Sequence, residues 1–196
     1  MIITIDGYCS QGKSTVAQML AQKLDFEFFS IGTVFRFLAM TYNTVSDGDR
    51  ENKVKAALDV MDRTPIEKMA LGVKGEAVDR ALSLLSGYSL VHERIAQKIL
   101  RYAKGRNMIL DGRVGFLLFP DAYRNYYFKT SLAKRAQNAS RSRDLSYQDA
   151  IEYIKFRDSF EIEYAIMPSV KVVKLDEFES VSDIVTYLEK DINNNM

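Results

Sequence analysis

The stretch GYCSQGKST, at Gly7–Thr15, constrains the possible fold of this chain more than any other segment. It matches G-x-x-x-x-G-K-[ST], follows the apolar run Ile2–Ile5 and precedes the helical pattern Val16–Leu24. The glycines allow backbone N–H groups of a loop to converge on an anion, and the helix after the loop adds the positive end of its dipole. The stretch therefore predicts a strand, a phosphate-binding loop and a helix, in that order.

A loop of this type binds the phosphates of a nucleoside triphosphate. Lys13 is expected to contact the outer phosphates as a point charge, and the Ser14 hydroxyl is expected to ligate Mg²⁺. Asp111 ends a later apolar run and is expected to orient water around the same ion. The motif leaves open whether the terminal phosphoryl group goes to water, to a metabolite or to another nucleotide. The predicted phosphate-binding residues are Ser10, Gln11, Gly12, Lys13, Ser14 and Thr15.

Short apolar runs alternate with longer helical patterns along the chain. This alternation predicts an α/β fold of the P-loop NTPase type, with about five parallel strands in a three-layer α/β/α arrangement. After Ile2–Ile5, the predicted strands are Phe26–Phe29, Met108–Gly112, Tyr123–Lys129 and Val170–Leu175.

The helical stretch at about 53–105 is too long for a simple crossover between the second and third strands. We therefore expect one domain over 1–196, with a core at 1–31 and 106–196 and a helical substrate-binding insert at about 32–105. Near the carboxyl end, a further helix is predicted to begin after the cap Ser146 and to continue until Pro168 stops it.

Composition excludes several classes of function. The formal net charge of +1 gives no broad basic surface for nucleic acid, and the single cysteine excludes a disulfide within the chain. A single histidine excludes most zinc ligand sets. The chain opens directly on a strand, and no run approaches the roughly 18 apolar residues of a membrane span. We expect a soluble cytoplasmic protein without nucleic-acid or membrane partners, and leave monomer or dimer open.

Two arginines follow predicted strands. Arg36 closes the segment SIGTVFR after the second strand, and Arg113 closes LDGR after the third. Ligands bind at the carboxyl ends of parallel strands, and an arginine fork pairs with phosphate through two bonds. The pair is therefore expected to hold a second, acceptor phosphate, which favours an acceptor that already carries a phosphate group.

With these segments identified, the chain resembles the P-loop nucleoside monophosphate kinases, and cytidylate kinases most closely. GRVGFLLFPDA, at 112–122, is similar to the G-R-D-x-G-x-x-x-F-P-D-A of that branch, and the similarity covers most of the chain. The resemblance implies transfer of a phosphoryl group from ATP to a nucleoside monophosphate, such as CMP, dCMP or a related nucleotide. It also implies ATP and Mg²⁺ as cofactors and a small-molecule nucleotide as the substrate.

The resemblance implies roles for further residues. Arg36 and Arg113 match arginines that hold the acceptor phosphate, Ser83 matches a serine that contacts cytosine, and Arg157 matches a phosphate-binding arginine after the lid. Lys74 stands where the family has another acceptor-phosphate arginine. The predicted catalytic residues are Lys13, Arg36, Arg113 and Arg157, and the predicted acceptor-binding residues are Arg36, Lys74, Ser83, His92 and Arg113.

The chain also departs from the family at several positions that read the base or cover the nucleotides. The family's Asp after G-R is missing from GRVG, and His92 replaces an arginine that contacts the base. In the lid, predicted at about 134–146, only Arg135 of an arginine-rich pattern remains, and Arg141 and Arg143 are expected to replace the lost charges. Further replacements are Phe160, Glu161 and Tyr164. Two alternatives therefore stay open: a kinase for a small metabolite, and a nucleotide-binding partner protein with weakened catalysis.

Overall fold

The computed structural model describes residues 1–46, 48–69, 75–159 and 165–194. Five parallel strands form one sheet in the order β2-β3-β1-β4-β5, which confirms the predicted α/β class. The strands are β1 (Ile2–Asp6), β2 (Glu27–Ser30), β3 (Met108–Asp111), β4 (Arg124–Lys129) and β5 (Lys171–Lys174).

Helices connect the strands, as parallel pairing requires. The first group is α1 (Lys13–Leu24), α2 (Ile31–Thr44), α3 (Arg50–Arg63), α4 (Glu76–Ser86) and α5 (Ser89–Ala103). The second group is α6 (Gly115–Leu118), α7 (Leu132–Arg143), α8 (Tyr147–Asp158) and α9 (Val181–Asn193). Short 3₁₀ turns occur at Ile66–Lys68 and Leu175–Glu177.

The central strands carry apolar side chains because both faces of a parallel sheet are covered. Ile3, Ile5 and Ile109 are fully buried, and they pack with Leu20 of α1 and Leu188 of α9. In the sheet register, Ile5 of β1 lies opposite Asp111 of β3. The loop that leaves the end of β1 therefore begins beside the carboxyl end of β3.

The chain divides into two compact units. The first comprises Met1–Ser30, Gly105–Ser159 and the described residues from Ala165 onward, and it holds the sheet with α1 and α6–α9. The second comprises the described part of Ile31–Lys104 and holds α2–α5. That this helical unit binds the substrate stays a prediction.

The helix after Ser146 is shorter than predicted. Its start is correct, since the Ser146 hydroxyl accepts the Asp149 N–H at 3.1 Å as an N-cap. Its end is wrong: α8 stops at Asp158, and Ala165 and Ile166 are not helical. The Ser159 hydroxyl donates to the Phe156 carbonyl oxygen at 2.7 Å, so a side chain satisfies one of the last carbonyl groups of the helix.

The predicted lid segment, 134–146, consists of most of α7 and the turn before α8. Among the described residues, no helix combines the length and the apolar character that crossing a membrane would need.

Candidate active site

The loop between β1 and α1 has the backbone of an anion-binding loop. Gly7, Ser10 and Gly12 have φ values of +138°, +59° and +80°. A Cβ at Gly7 would lie 2.1 Å from Gln11 Oε1 and 2.7 Å from the Phe128 carbonyl oxygen, so the close approach there requires glycine. Gly12 is the N-cap of α1, and the positive end of that helix therefore faces the loop.

Lys13 is the buried cation of this loop. Its side chain is 9% exposed, and its Nζ donates to the Tyr8 carbonyl oxygen at 2.5 Å. Burial lowers the pKa of Lys13 to about 8; the charge of Arg113 acts in the same direction, and Asp111 opposes it. An anion bound in the loop would stabilise the charged form of this lysine.

The other predicted loop residues differ in their exposure. Ser14 and Thr15 are exposed on the first turn of α1, next to Lys13. Gln11 is buried, and its Oε1 accepts no hydrogen bond from any residue that the structure describes. A buried oxygen of this kind calls for a donor from solvent or ligand.

Ser14 and Asp111 form the predicted metal site. The Ser14 hydroxyl donates to Asp111 Oδ2 at 2.6 Å, which brings one hydroxyl and one carboxylate together at the end of β3. These oxygens suit Mg²⁺, which binds few protein groups and completes its shell with water and substrate phosphates. Within the described ranges no cluster of three or more His, Cys, Asp or Glu side chains provides an all-protein site. The residues present therefore fit a magnesium ion that arrives with a nucleotide.

Asp6 is a structural element of the site that the sequence analysis missed. Its fully buried carboxylate accepts the N–H groups of Gly115 at 2.7 Å and Phe116 at 2.9 Å. Burial raises the pKa of Asp6 to about 6, and these two hydrogen bonds act in the opposite direction. Asp6 thereby fixes the chain just after Arg113. A carboxylate at the end of an apolar strand, directly before the loop, is the signal that would have identified it.

Arg135 contacts the phosphate loop. It is 6% exposed, its Nε donates to the Cys9 carbonyl oxygen at 2.9 Å, and its two terminal nitrogens donate to Asp158 at 2.9 and 2.7 Å. Its guanidinium also lies 5.4 Å from the centre of the Tyr8 ring. A lid role for Arg135 stays a prediction, and it would require these bonds to break.

The other two predicted lid arginines lie on α7, and Arg157, one of the predicted catalytic arginines, lies on α8. Arg141 and Arg143 are exposed on the last turn of α7, where the Arg143 guanidinium lies 4.2 Å from the centre of the Tyr153 ring. Arg157 is 8% exposed on the last turn of α8.

The predicted acceptor residues are divided between the two units. Arg113 follows β3 in the first unit, whereas Arg36, Ser83 and His92 lie on α2, α4 and α5 of the second. Their convergence on one acceptor stays a prediction. Four predicted positions lie outside the described residues: Lys74, Phe160, Glu161 and Tyr164.

His92 packs within the second unit. Its ring meets the Phe35 ring edge-on, with centroids 6.0 Å apart. Burial lowers the pKa of His92, and a hydrogen bond with the Ser86 backbone opposes that shift. The lowered pKa favours the neutral form of His92, whereas the family's arginine carries a charge.

The second unit also contains a cleft of about 410 Å³, and none of the predicted acceptor residues that the structure describes lines it. Its lining residues are Asp62, Ile66, Glu67, Lys98, Arg101 and Tyr102.

Comparison with known proteins gives curated relatives in sequence and solved structures of similar fold. Cytidylate kinases of Caldanaerobacter subterraneus and Geobacillus kaustophilus are 29% and 28% identical to this chain, over 81% and 92% of its length and 78% and 89% of theirs. Solved structures of a shikimate kinase from Bacteroides thetaiotaomicron and a gluconokinase from Sinorhizobium meliloti share the fold, each with a TM-score of 0.52. These two cover 98% of this chain and are covered over 98% and 91% of their own lengths, at 12% and 11% identity.

The fold neighbours, at such low identity, show the P-loop kinase fold alone. The family model for cytidylate kinase matches residues 3–174, which is most of the chain. The protein therefore belongs to the cytidylate kinase family and is a phosphotransferase of the nucleoside monophosphate kinase class.

Proposed function

We propose that this protein transfers the γ-phosphoryl group of ATP to cytidylate, deoxycytidylate or a closely related nucleoside monophosphate. The observation that carries the proposal is the loop site itself. A buried Lys13 ammonium lies inside a loop of positive-φ residues, beside a Ser14–Asp111 pair joined at 2.6 Å. Membership of the cytidylate kinase family supports a pyrimidine monophosphate as acceptor.

In the proposed reaction, an oxygen of the acceptor phosphate attacks the γ-phosphorus of ATP in line. A new P–O bond forms while the bond to the β–γ bridging oxygen breaks, and ADP leaves. The loop N–H groups and Lys13 hold the outer phosphates and neutralise charge in the transition state. Ser14, with Asp111 acting through water, would hold Mg²⁺, which neutralises charge on the phosphate oxygens when bound.

On the acceptor side, Arg36 and Arg113 are assigned to the acceptor phosphate by their places in the family's motifs. Lys74 adds charge without the planar fork of the family's arginine. Ser83 and His92 are assigned to the base. Because burial lowers the pKa of His92 and so favours its neutral form, His92 would recognise the base through hydrogen bonding or packing. The experiment must determine which base is accepted.

A coupled assay of ADP release tests the proposal, with ATP, Mg²⁺ and a panel of ribo- and deoxyribonucleoside monophosphates. The chain offers a matched pair of variants on α1: Lys13→Ala removes the buried loop cation, and Lys23→Ala removes an exposed cation that pairs with Glu189. We expect turnover on CMP or dCMP, a loss of at least about 100-fold in Lys13→Ala, and little change in Lys23→Ala.

Other outcomes point elsewhere. Turnover only on phosphorylated metabolites would indicate a small-metabolite kinase. ATP binding without turnover on any acceptor would indicate a nucleotide-binding partner protein. Equal activity of Lys13→Ala and the wild type would overturn the assignment of the loop.

A further inference from the structure

Three consecutive carbonyl groups of the phosphate loop each receive a side-chain hydrogen bond. Lys13 Nζ donates to the Tyr8 oxygen at 2.5 Å, and Arg135 Nε donates to the Cys9 oxygen at 2.9 Å. Asn138 Nδ2 donates to the Ser10 oxygen at 3.0 Å. The donors to Cys9 and Ser10 both come from α7, three positions apart and therefore on one helix face.

The planar trans peptide unit gives these two bonds a consequence on the far side of the loop. Within one peptide unit, the C=O and the following N–H point in opposite directions. The Cys9 carbonyl shares its unit with the Ser10 N–H, and the Ser10 carbonyl shares its unit with the Gln11 N–H. With both carbonyls bonded to α7, both N–H groups point away from α7.

We propose that Arg135 and Asn138 are positioning residues for phosphate binding: by holding the Cys9 and Ser10 carbonyls on the α7 side, they aim the Ser10 and Gln11 N–H groups at the bound phosphates. The inference rests on the proposed function in taking ATP as the bound anion. It assigns to Arg135 a task in shaping the loop, separate from any charge that it would add to a lid.

The conformation of Ser10 supports this role. A φ of +59° is left-handed, and a residue other than glycine keeps such a conformation only where its surroundings hold it. The bond from Asn138 to the Ser10 carbonyl is a contact of that kind. Asn138 is thus tied to the one non-glycine residue of the loop with positive φ.

Arg135 is itself held rigidly. Asp158 binds both terminal nitrogens of the guanidinium, which leaves Nε directed at the Cys9 carbonyl. A planar fork can serve two partners at fixed angles, and a lysine ammonium cannot.

Apolar side chains of α7 and α8 pack against the loop at Cys9. The Cys9 side chain lies in a small buried cluster with Ala136 and Ala139 of α7 and Ala150 and Ile154 of α8. The small side chains allow α7 and α8 to approach the loop closely, so that even the short Asn138 side chain reaches one of its carbonyls.

Binding of inorganic tripolyphosphate and of ATP, measured by calorimetry, tests the inference without turnover. Asn138→Ala and Asn138→Leu remove the donor to Ser10, and the second keeps the number and branching of the side-chain heavy atoms. Arg135→Lys keeps the charge but loses the fork. Gln137→Ala, at an exposed position of the same helix, is the matched control.

We expect Asn138→Leu and Arg135→Lys to weaken binding of both anions by about tenfold or more, because displaced N–H groups lose alignment with the phosphates. KM for ATP should rise while KM for the nucleoside monophosphate stays unchanged, and Gln137→Ala should match the wild type. Thermal unfolding without nucleotide shows whether each variant is folded. If Asn138→Leu is not folded, Asn138→Ala is measured in its place.

Wild-type affinity for tripolyphosphate in folded Asn138 and Arg135 variants would overturn the positioning role and leave the proposed function intact. An equal rise of KM for both substrates would also overturn it, since that result indicates a general structural loss. A wild-type protein that binds neither ATP nor tripolyphosphate would overturn the proposed function and this inference together.

Discussion

The loop after β1 and the predicted acceptor residues represent the two sides of the proposed reaction, and they are built differently. The loop offers backbone donors and Lys13 from consecutive residues, with directions set by the φ angles of Ser10 and Gly12. Arg36, Ser83 and His92 lie on three separate helices. A site made from one backbone segment is encoded by spacing, whereas a site made from scattered side chains depends on how helices pack. The loop site can therefore keep its function while the acceptor site changes its substrate.

Replacing the acceptor arginines gives the largest expected effect and tests this comparison directly. Arg36→Ala and Arg113→Ala should each lower kcat/KM for the nucleoside monophosphate by about 100-fold, because each removes a charged residue that we propose as a bidentate partner of the acceptor phosphate. Binding of ATP, measured by calorimetry, should change little. Lysine at either position should recover only part of the loss, since it lacks the fork.

The comparison between loop and acceptor residues would be contradicted if either alanine variant weakened ATP binding by as large a factor as it lowered kcat/KM for the nucleoside monophosphate. That result would mean that the arginine serves the triphosphate.

The contrast also explains what could be predicted from the sequence. The strand, loop and helix around Lys13 follow from local spacing, as does the cap at Ser146. The contacts of Asp6 do not, because its partner Gly115 is 109 residues away along the chain. The bond from Arg135 to Cys9 spans 126 residues. The motif identified the loop, and 134–146 was predicted as a lid, but neither carries information on which side chain of α7 reaches which carbonyl of the loop.

The prediction of where α8 ends failed for a different reason. The apolar repeat continues beyond Asp158, so the pattern alone favours a longer helix. The Ser159 hydroxyl bonds the Phe156 carbonyl oxygen at this end, but Thr41 makes a similar bond inside α2, which continues, so such a residue does not mark the end in the sequence.

Asp6 supports the loop from the end of strand β1, and replacing it should have the second largest effect of the substitutions considered. Asp6→Asn should lower the free energy of unfolding by about 2 kcal/mol, since an amide offers one acceptor oxygen to two buried N–H groups. Asp25→Asn, at an exposed C-cap, is the control, because asparagine also accepts the left-handed conformation there. Urea unfolding at fixed pH measures both variants.

The pH dependence of the same carboxylate sharpens that test. Its pKa is raised from 3.8 to about 6 in the folded state, mainly by burial, so the folded protein binds a proton that the unfolded chain has released. The stability that protonation contributes is complete below pH 4 and is lost as pH rises through about 6. The difference in unfolding free energy between wild type and Asp6→Asn should therefore shrink over that window, and a constant difference would contradict the assignment.

Lys13 gives a smaller effect, confined to the loop. Its pKa, lowered by burial to about 8, predicts that the free protein loses this charge as pH rises from 7 to 9. Because the charged form binds phosphate, the Kd for ATP should rise by up to about tenfold over that range. Lys13→Arg, which stays charged, should bind less tightly at pH 7 but with little change in Kd up to pH 9. A pH-independent Kd in the wild type would mean that Lys13 stays charged throughout.

The exposed arginines of α7 should have the smallest effect. Arg141 and Arg143 were predicted to replace lost lid charges, and Arg143 is already engaged with the Tyr153 ring at 4.2 Å. Charges on exposed side chains act through solvent, so removing both should lower kcat by about threefold to tenfold and more strongly at low salt. Turnover of Arg141→Ala with Arg143→Ala, measured at two ionic strengths beside Gln137→Ala, checks this. Unchanged turnover would show that the loop, supported by α7, neutralises the phosphates without these arginines. Phosphate neutralisation would then depend on the backbone segment of the loop and not on scattered side chains of the lid.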